Sequence, residues 1–203
     1  MAYLVGSLPT GYLVARAKGI DIRAVGSGNI GATNVFRILG GPAGVFVLVV
    51  DGIKGFAACT WCADLVLDLF GIPLLDAESQ RIVAGIAAVL GHNFTCWLQF
   101  KGGKGIATSA GVFFGLAPLS AGIAVGAWAV VFAVGRYVSL ASLAAALALP
   151  IAVWLTPNCL LLRIVTTVLA LLAIWKHRGN IERLLDGTEK RLGGKPRIQE
   201  AAQ

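Results

Sequence analysis

Three short stretches carry groups suited to holding a phosphate: Gly26-Ser-Gly-Asn-Ile-Gly-Ala-Thr-Asn34, Phe100-Lys-Gly-Gly-Lys-Gly-Ile-Ala-Thr108 and His177-Arg-Gly-Asn-Ile-Glu-Arg183. In the first, Gly28 bares the backbone, Ser27, Asn29, Thr33 and Asn34 offer neutral donors, and Arg37 follows with a fixed charge. In the second, Gly102, Gly103 and Gly105 allow close backbone approach while Lys101 and Lys104 supply ammonium groups. The third sets Asn180 beside Gly179, and Glu189 follows in an otherwise basic tail, where Glu182 and Asp186 read as surface charge. Exposed N–H groups beside fixed cations are what a phosphate site requires.

Nucleotide signatures are absent. Gly26 to Gly31 matches G-x-G-x-x-G and follows Ile20–Val25, a stretch of strand composition. The helix it would open is confined to 31–41 by Gly40-Gly41-Pro42, and no strand–helix alternation follows. A P-loop needs glycine where Leu98 stands and Ser or Thr where Gly105 stands. Other polar groups are ambiguous in isolation. His92, about two turns before the Lys104 loop, can serve as a base, a phosphate ligand or a packed polar residue. Ser139 and Ser142, after Arg136, either pack a helix end or support the site. Asp51 and Lys54, three apart in an apolar run, meet on one helix face and read as structural glue. Cys59 and Cys62 also lie in an apolar run with no second pair, so neither a metal nor a disulfide is expected there.

The elements that must position these groups are membrane-grade. The 203 residues are 57% hydrophobic and 13% charged, against about 45–50% and about 25% in soluble domains. The expected fold is therefore an all-α integral membrane protein. Cutting the apolar runs at charges and turn signals gives seven segments: 1–15, 42–70, 81–99, 106–117, 119–135, 138–155 and 159–176. The first is short, so a natural start several residues upstream is expected. The segment 106–117 is short too, and reads as a half-helix opening at the Lys104 loop. Residues 1–192 form one domain, and 193–203 a short polar tail.

Seven crossings put the termini on opposite sides. One side collects Arg16, Lys18, Arg23, Arg37, Lys101, Lys104, Arg136 and the tail from Lys176. The other collects Asp64, Asp68, Asp76 and Glu78, with Arg81 and Arg163 as its cations. Positive charge marks the cytoplasmic side, so the C-terminus is expected there and the N-terminus outside. All three stretches then face the cytoplasm, where spans returning to one face can gather them into a single site. The net charge of +7 is spread over the ends of apolar runs rather than in one patch, which speaks against nucleic acid.

Taken together and in order, these strings resemble the bacterial acyl-phosphate:glycerol-3-phosphate acyltransferases. The resemblance runs from Leu4 to Glu189. It is carried by Gly6-Ser7-x-Pro9-x-Gly11, the Ser27–Arg37 stretch, Asp51-x-x-Lys54-Gly55 and Gly91-His92, then Phe100-Lys-Gly-Gly-Lys-Gly, Arg136-Tyr-Val-Ser-Leu-Ala-Ser142 and Asn180…Glu189. It implies a seven-span enzyme of the bacterial cytoplasmic membrane. That enzyme transfers a fatty acyl group from acyl phosphate to sn-glycerol 3-phosphate, yielding lysophosphatidic acid and phosphate, with no cofactor and without acyl-CoA or acyl carrier protein. It marks Ser27, Arg37, the Gly102–Lys104 loop, Asn180 and Glu189 as site residues. On this reading Ser27 and the Lys104 loop hold the acyl phosphate, Arg37 with Lys101 holds glycerol phosphate, and Asn180 orients either. The base is His92 or a substrate phosphate oxygen. The competing class is a transporter or flippase for a phosphorylated metabolite. That class calls for polar groups at mid-membrane in paired broken helices, whereas here they gather at one face with only Asp51 and Lys54 deeper.

Overall fold

The computed structural model describes residues 1–70 and 75–193, with backbone alone for 66–70. The side chain of Asp68 and the tail beyond Gly193 lie outside the described residues. These residues are helical with no strand: α1 (Ala2–Ser7), α2 (Thr10–Arg16), α3 (Ala32–Leu39), α4 (Gly41–Cys59), α5 (Trp61–Phe70), α6 (Ala77–Asn93), α7 (Ile106–Leu116), α8 (Pro118–Gly135), α9 (Val138–Leu155), α10 (Leu160–Lys176) and α11 (Arg178–Leu185), with a 3-10 turn at Cys96–Leu98. The strand-like Ile20–Val25 is a series of turns.

Among the described residues, four stretches are long and apolar enough to cross a bilayer: Gly41–Leu65, Ala77–Leu98, Pro118–Gly135 and Val138–Leu155. Leu160–Lys176 joins them if it is counted with α11, from which it is bent by 56°. The two remaining expected segments are the ones already short in the sequence. Residues 1–15 are split, and α7 has 11 residues. The division expected at Pro118 occurs, with the helix restarting there after Ala117. Outward faces carry Phe46, Val49, Val130, Val134, Leu155 and Leu171, each about half or more exposed. That surface suits hydrocarbon rather than water.

Proline explains the first break. Pro9 has no N–H to give, so α1 stops at Ser7 and α2 restarts at Thr10. The Leu8 carbonyl takes the Thr10 amide at 3.0 Å and, as a second donor, Lys54 Nζ at 2.8 Å. Lys54 also pairs with Asp51 at 2.8 Å, and Asp51 accepts from Thr10 Oγ1 at 3.0 Å. The two charges therefore do not interrupt α4; they answer each other and pin the broken helix to it. The helix breaks instead at Thr60, beyond which α5 begins.

Close approach of helices rests on small residues. A Cβ on Gly55 would strike the Thr108 backbone of α7, and one on Gly111 would come within 2.8 Å of the Gly52 carbonyl carbon. In lipid, such contact and its dispersion energy replace the hydrophobic drive. One core, with Ile82, Val89, Val112, Phe113, Val153 and Leu162, joins α6, α7, α9 and α10. A second, with Ala15, Ile22, Ile30, Val35, Val47 and Leu98, seats residues 17–31 and α3 against α2 and α4. Gly111→Leu should therefore force α4 and α7 apart and lower the thermal midpoint in detergent, by roughly 1–3 kcal/mol of overpacking. Gly122→Leu, where a Cβ meets nothing within 4 Å, should leave the midpoint in place. Equal midpoints for the two variants would contradict this packing.

Candidate active site

Asn34 ties the first stretch together. Its Oδ1 accepts from Ser27 N at 3.0 Å, and its Nδ2 donates to the carbonyls of Ile22, Val25 and Asn29 at 3.0–3.2 Å. The side chain is 2% exposed. Asn34 was expected to bind phosphate, but its amide is spent on the loop backbone. Gly26 lies at φ +64 against that same amide, where a Cβ would collide with Asn34 Oδ1. The loop so formed leaves Ser27 exposed, and α3 carries Thr33 and Arg37 beside it. Gly28 lies at φ +69 and shapes the turn without lining the cavity described below.

The second stretch folds back on the end of α6. Gly103 N donates to the His92 carbonyl at 3.1 Å and Gly102 N to the Asn93 carbonyl at 3.2 Å. Those two amides are therefore unavailable to a phosphate, contrary to expectation, and Lys101 is exposed outside the cavity lining. Lys104 is the residue the fold aims inward. Its Nζ donates to Asn180 Oδ1. Burial pushes its pKa down to about 8; Glu189 works against that, and the like charges of Arg183 and Arg37 add to it. Gly105 at φ +82 then opens α7. The first residues of that helix, Ile106 and Ala107, line the cavity, and the N–H groups of a helix's first turn have no intrahelical acceptor.

In the third stretch, His177 Nδ1 lies 2.7 Å from the Ala173 carbonyl. That nitrogen must therefore carry the proton, which leaves Nε2 as a bare acceptor. Glu189 gathers the tail. It accepts from Asn180 Nδ2 and Ser139 Oγ at 2.9 Å each and from Arg183 Nε at 2.8 Å, with Arg37 Nη2 4.0 Å away. Burial works to raise the Glu189 carboxyl, but the hydrogen bonds from Arg183, Asn180 and Ser139 outweigh it and hold the pKa below the ordinary value. Burial lowers the pKa of Arg37, against the pull of Glu189. Arg37 Nη2 donates to the Lys190 carbonyl at 2.9 Å, while its Nε is buried with no partner.

The three stretches meet at the polar end of one cavity of about 760 Å³. Ser27, Asn29, Thr33, Asn34, Arg37, His92, Lys104, Ser139, Ser142, Asn180 and Glu189 all line it. Asp51, Ser109, Thr166 and His177 line it too, and the rest of its wall is apolar, with Phe113, Ala121, Ala124, Trp128, Leu149 and Leu169. His92 is 6% exposed, with Nδ1 3.8 Å from Asp51 Oδ1, and a Cβ on Gly103 would strike its Nε2. It supports the loop from below. Ser142 lies within 3.4 Å of the Trp128 indole N–H. Sequence reasoning did not single out His177, although it heads the third stretch. It also missed Trp128, for which an apolar run gives no signal. Such a site can hold anionic groups at its mouth and an apolar chain below.

Residues 1–187 match the family model described as glycerol-3-phosphate acyltransferase. The chain is 48% identical to the glycerol-3-phosphate acyltransferase of Geobacter sulfurreducens over 94% of both chains. It is 47% identical to that of Desulforudis audaxviator, over 94% of this chain and 92% of the relative. Two crystal structures of PlsY (YgiH), an integral membrane glycerol 3-phosphate acyltransferase, share its architecture. The glycerol 3-phosphate form superposes with a TM-score of 0.84 at 41% identity, and the lysophosphatidic acid form with 0.80 at 40%. Each comparison covers 95% of this chain and 92% of the other. With its cationic mouth and apolar chamber, the chain belongs to the glycerol-3-phosphate acyltransferase family and is an acyltransferase enzyme.

Proposed function

We propose that the chain transfers a fatty acyl group from acyl phosphate to sn-glycerol 3-phosphate, giving lysophosphatidic acid and orthophosphate. The observation that carries this is the cavity itself: an apolar chamber whose mouth is closed by Lys104, Arg37, Ser27 and Asn180. An acyl phosphate is an apolar chain ending in an activated dianion, and it matches that polarity. A mixed anhydride needs no strong protein nucleophile, so positioning and preorganised donors carry most of the work.

The acceptor hydroxyl oxygen attacks the acyl carbonyl carbon. The bond from that carbon to the phosphate oxygen breaks with its electron pair on phosphate, and the hydroxyl proton ends on a phosphate oxygen. Lys104 with Ser27 holds the donor phosphate. Arg37, whose Nε has no partner of its own, holds the acceptor's. His177 Nε2 orients the glycerol hydroxyl, and Asn180 relays between Lys104 and Glu189. Neither a resident cofactor nor acyl-CoA or acyl carrier protein enters this scheme.

The proposed setting is the bacterial cytoplasmic membrane, with residues 1–192 as one domain. Seven crossings, the N-terminus outside and the C-terminus inside, turn the site toward the cytoplasm. The sidedness of the cations supports this orientation.

Purified protein in detergent, given acyl phosphate and glycerol 3-phosphate, should release orthophosphate and form lysophosphatidic acid. Activity confined to acyl-CoA would sink the proposal. Lys104→Ala and Arg37→Ala should each cut kcat/KM by about 10²-fold or more, and near-normal kinetics in both would remove this site from consideration. The Lys104 ammonium is full below pH 8 and is lost above it, so kcat/KM should fall as pH rises through about 8. Lys104→Arg should keep part of the activity while losing that alkaline limb. A limb unchanged in the arginine variant would assign it to another group.

A further inference from the structure

A second chamber adjoins the first. It is a polar cleft of about 270 Å³, and it shares Ser27, Asn29, Lys104 and Asn180 with the large cavity. Those four residues thus form a wall common to both chambers, at the point where the donor phosphate would lie. The cleft's own residues are Lys176, Arg178, Gly179, Glu182 and Arg183. It runs outward from half-buried Lys176 and Lys104 to exposed Arg178 and Glu182.

Its charge is largely unanswered. Lys176 Nζ donates to the Asn93 carbonyl at 2.9 Å and lies 4.1 Å from the centre of the Phe94 ring. Arg178 reaches the Trp175 carbonyl at 3.3 Å and packs over the Trp175 ring. Neither has a carboxylate within ion-pair distance among the described residues, and the same holds for Lys104. Arg183 alone of the four cations is paired, with Glu189. Glu182 is the one acid in the lining. The volume admits on the order of nine waters, enough for a small hydrated anion and far too little for a fatty chain.

From this juxtaposition we infer that the cleft is a binding port for inorganic phosphate, through which the leaving group passes to the cytoplasm after acyl transfer. The inference rests on the acyl-phosphate reading, because only that donor releases orthophosphate. The two products differ in kind. The acylated product keeps its chain in the apolar chamber, whereas a phosphate dianion would be poorly solvated there. The shared wall hands it to Lys176 and Arg178, and those cations focus it outward.

The test uses the full-length protein with two exposed substitutions of opposite sign. Arg178→Gln should raise the inhibition constant of added orthophosphate about three- to tenfold, the loss of one charge-assisted contact at a partly solvated site. Glu182→Gln should lower it a few-fold. In both, the inhibition constant should move more than the KM of either substrate. Calorimetric titration of the donor-free proteins with inorganic phosphate should give the same order of affinities. Unmoved phosphate constants in both variants would overturn the port while leaving the acyl-phosphate reading intact. A shift in the KM for glycerol 3-phosphate without one in the phosphate constant would make the cleft part of the acceptor's seat instead. A wild-type protein inert toward acyl phosphate would bring down both readings.

Discussion

The architecture depends on placing the Lys104 ammonium at the mouth of an apolar chamber without neutralising it. A buried cation normally acquires a carboxylate, because desolvation costs more than a neutral partner restores. Here the nearest oxygen is the Asn180 amide, and Glu189 is one residue further along, fixed by Asn180, Ser139 and Arg183. Glu189 therefore acts on Lys104 at a distance and through Asn180. A direct ion pair would cancel the charge at the mouth of the cavity. An amide holds the ammonium in position and leaves its charge unneutralised.

That arrangement needs three chain segments held in place by groups spent largely on the protein's own backbone and side chains. Asn34 locks the first by saturating its amide with four loop contacts. The second is held from beneath by His92 and Asn93, whose carbonyls take the Gly103 and Gly102 amides. The third is drawn in by Glu189, and Leu192 N donates to the Arg136 carbonyl at 2.9 Å to keep the tail across the start of α9. Glycines in these loops therefore serve two ends. Gly105, at φ +82, starts α7 at the cavity wall, whereas Gly102 and Gly103 let the loop lie on α6 with its amides consumed.

This difference marks how far the sequence could be read. The helical class and the Asp51–Lys54 contact follow from residue types and spacing, and the gathering of the three stretches from the sidedness of the cations; the choice of Ser27, Arg37, Lys104, Asn180 and Glu189 within them is what the family resemblance implied. Composition cannot say which amides in a glycine string remain free, because that depends on which carbonyls of another element lie beneath them. Lys101 and Lys104 are equivalent in composition. A reversal of the chain through Gln99 and Phe100, both at positive φ, sends one outward and the other in. Nor does an apolar run distinguish Trp128, which lines the chamber, from Trp97, which is 63% exposed. Pro9 was visible as part of a motif, but neither the break it makes in the segment 1–15 nor the contact of Lys54 with the Leu8 carbonyl was.

That carbonyl explains why a charge pair persists within a membrane-grade helix. An interrupted helix leaves backbone groups that lipid cannot solvate; Lys54 adds a second donor to the Leu8 carbonyl, which also takes the Thr10 amide, and Asp51 compensates its charge. With the break secured, α1 is fixed against α6 by two further bonds. Tyr3 Oη donates to the Phe94 carbonyl at 2.6 Å, and Thr95 Oγ1 donates to the Ser7 carbonyl at 2.6 Å. Both reach the turn that follows α6, and the Lys104 loop folds back on that turn. The ion pair thus acts on the site through backbone. It anchors the broken helix, the broken helix anchors the turn, and the turn sets where the Lys104 ammonium stands relative to Asn180.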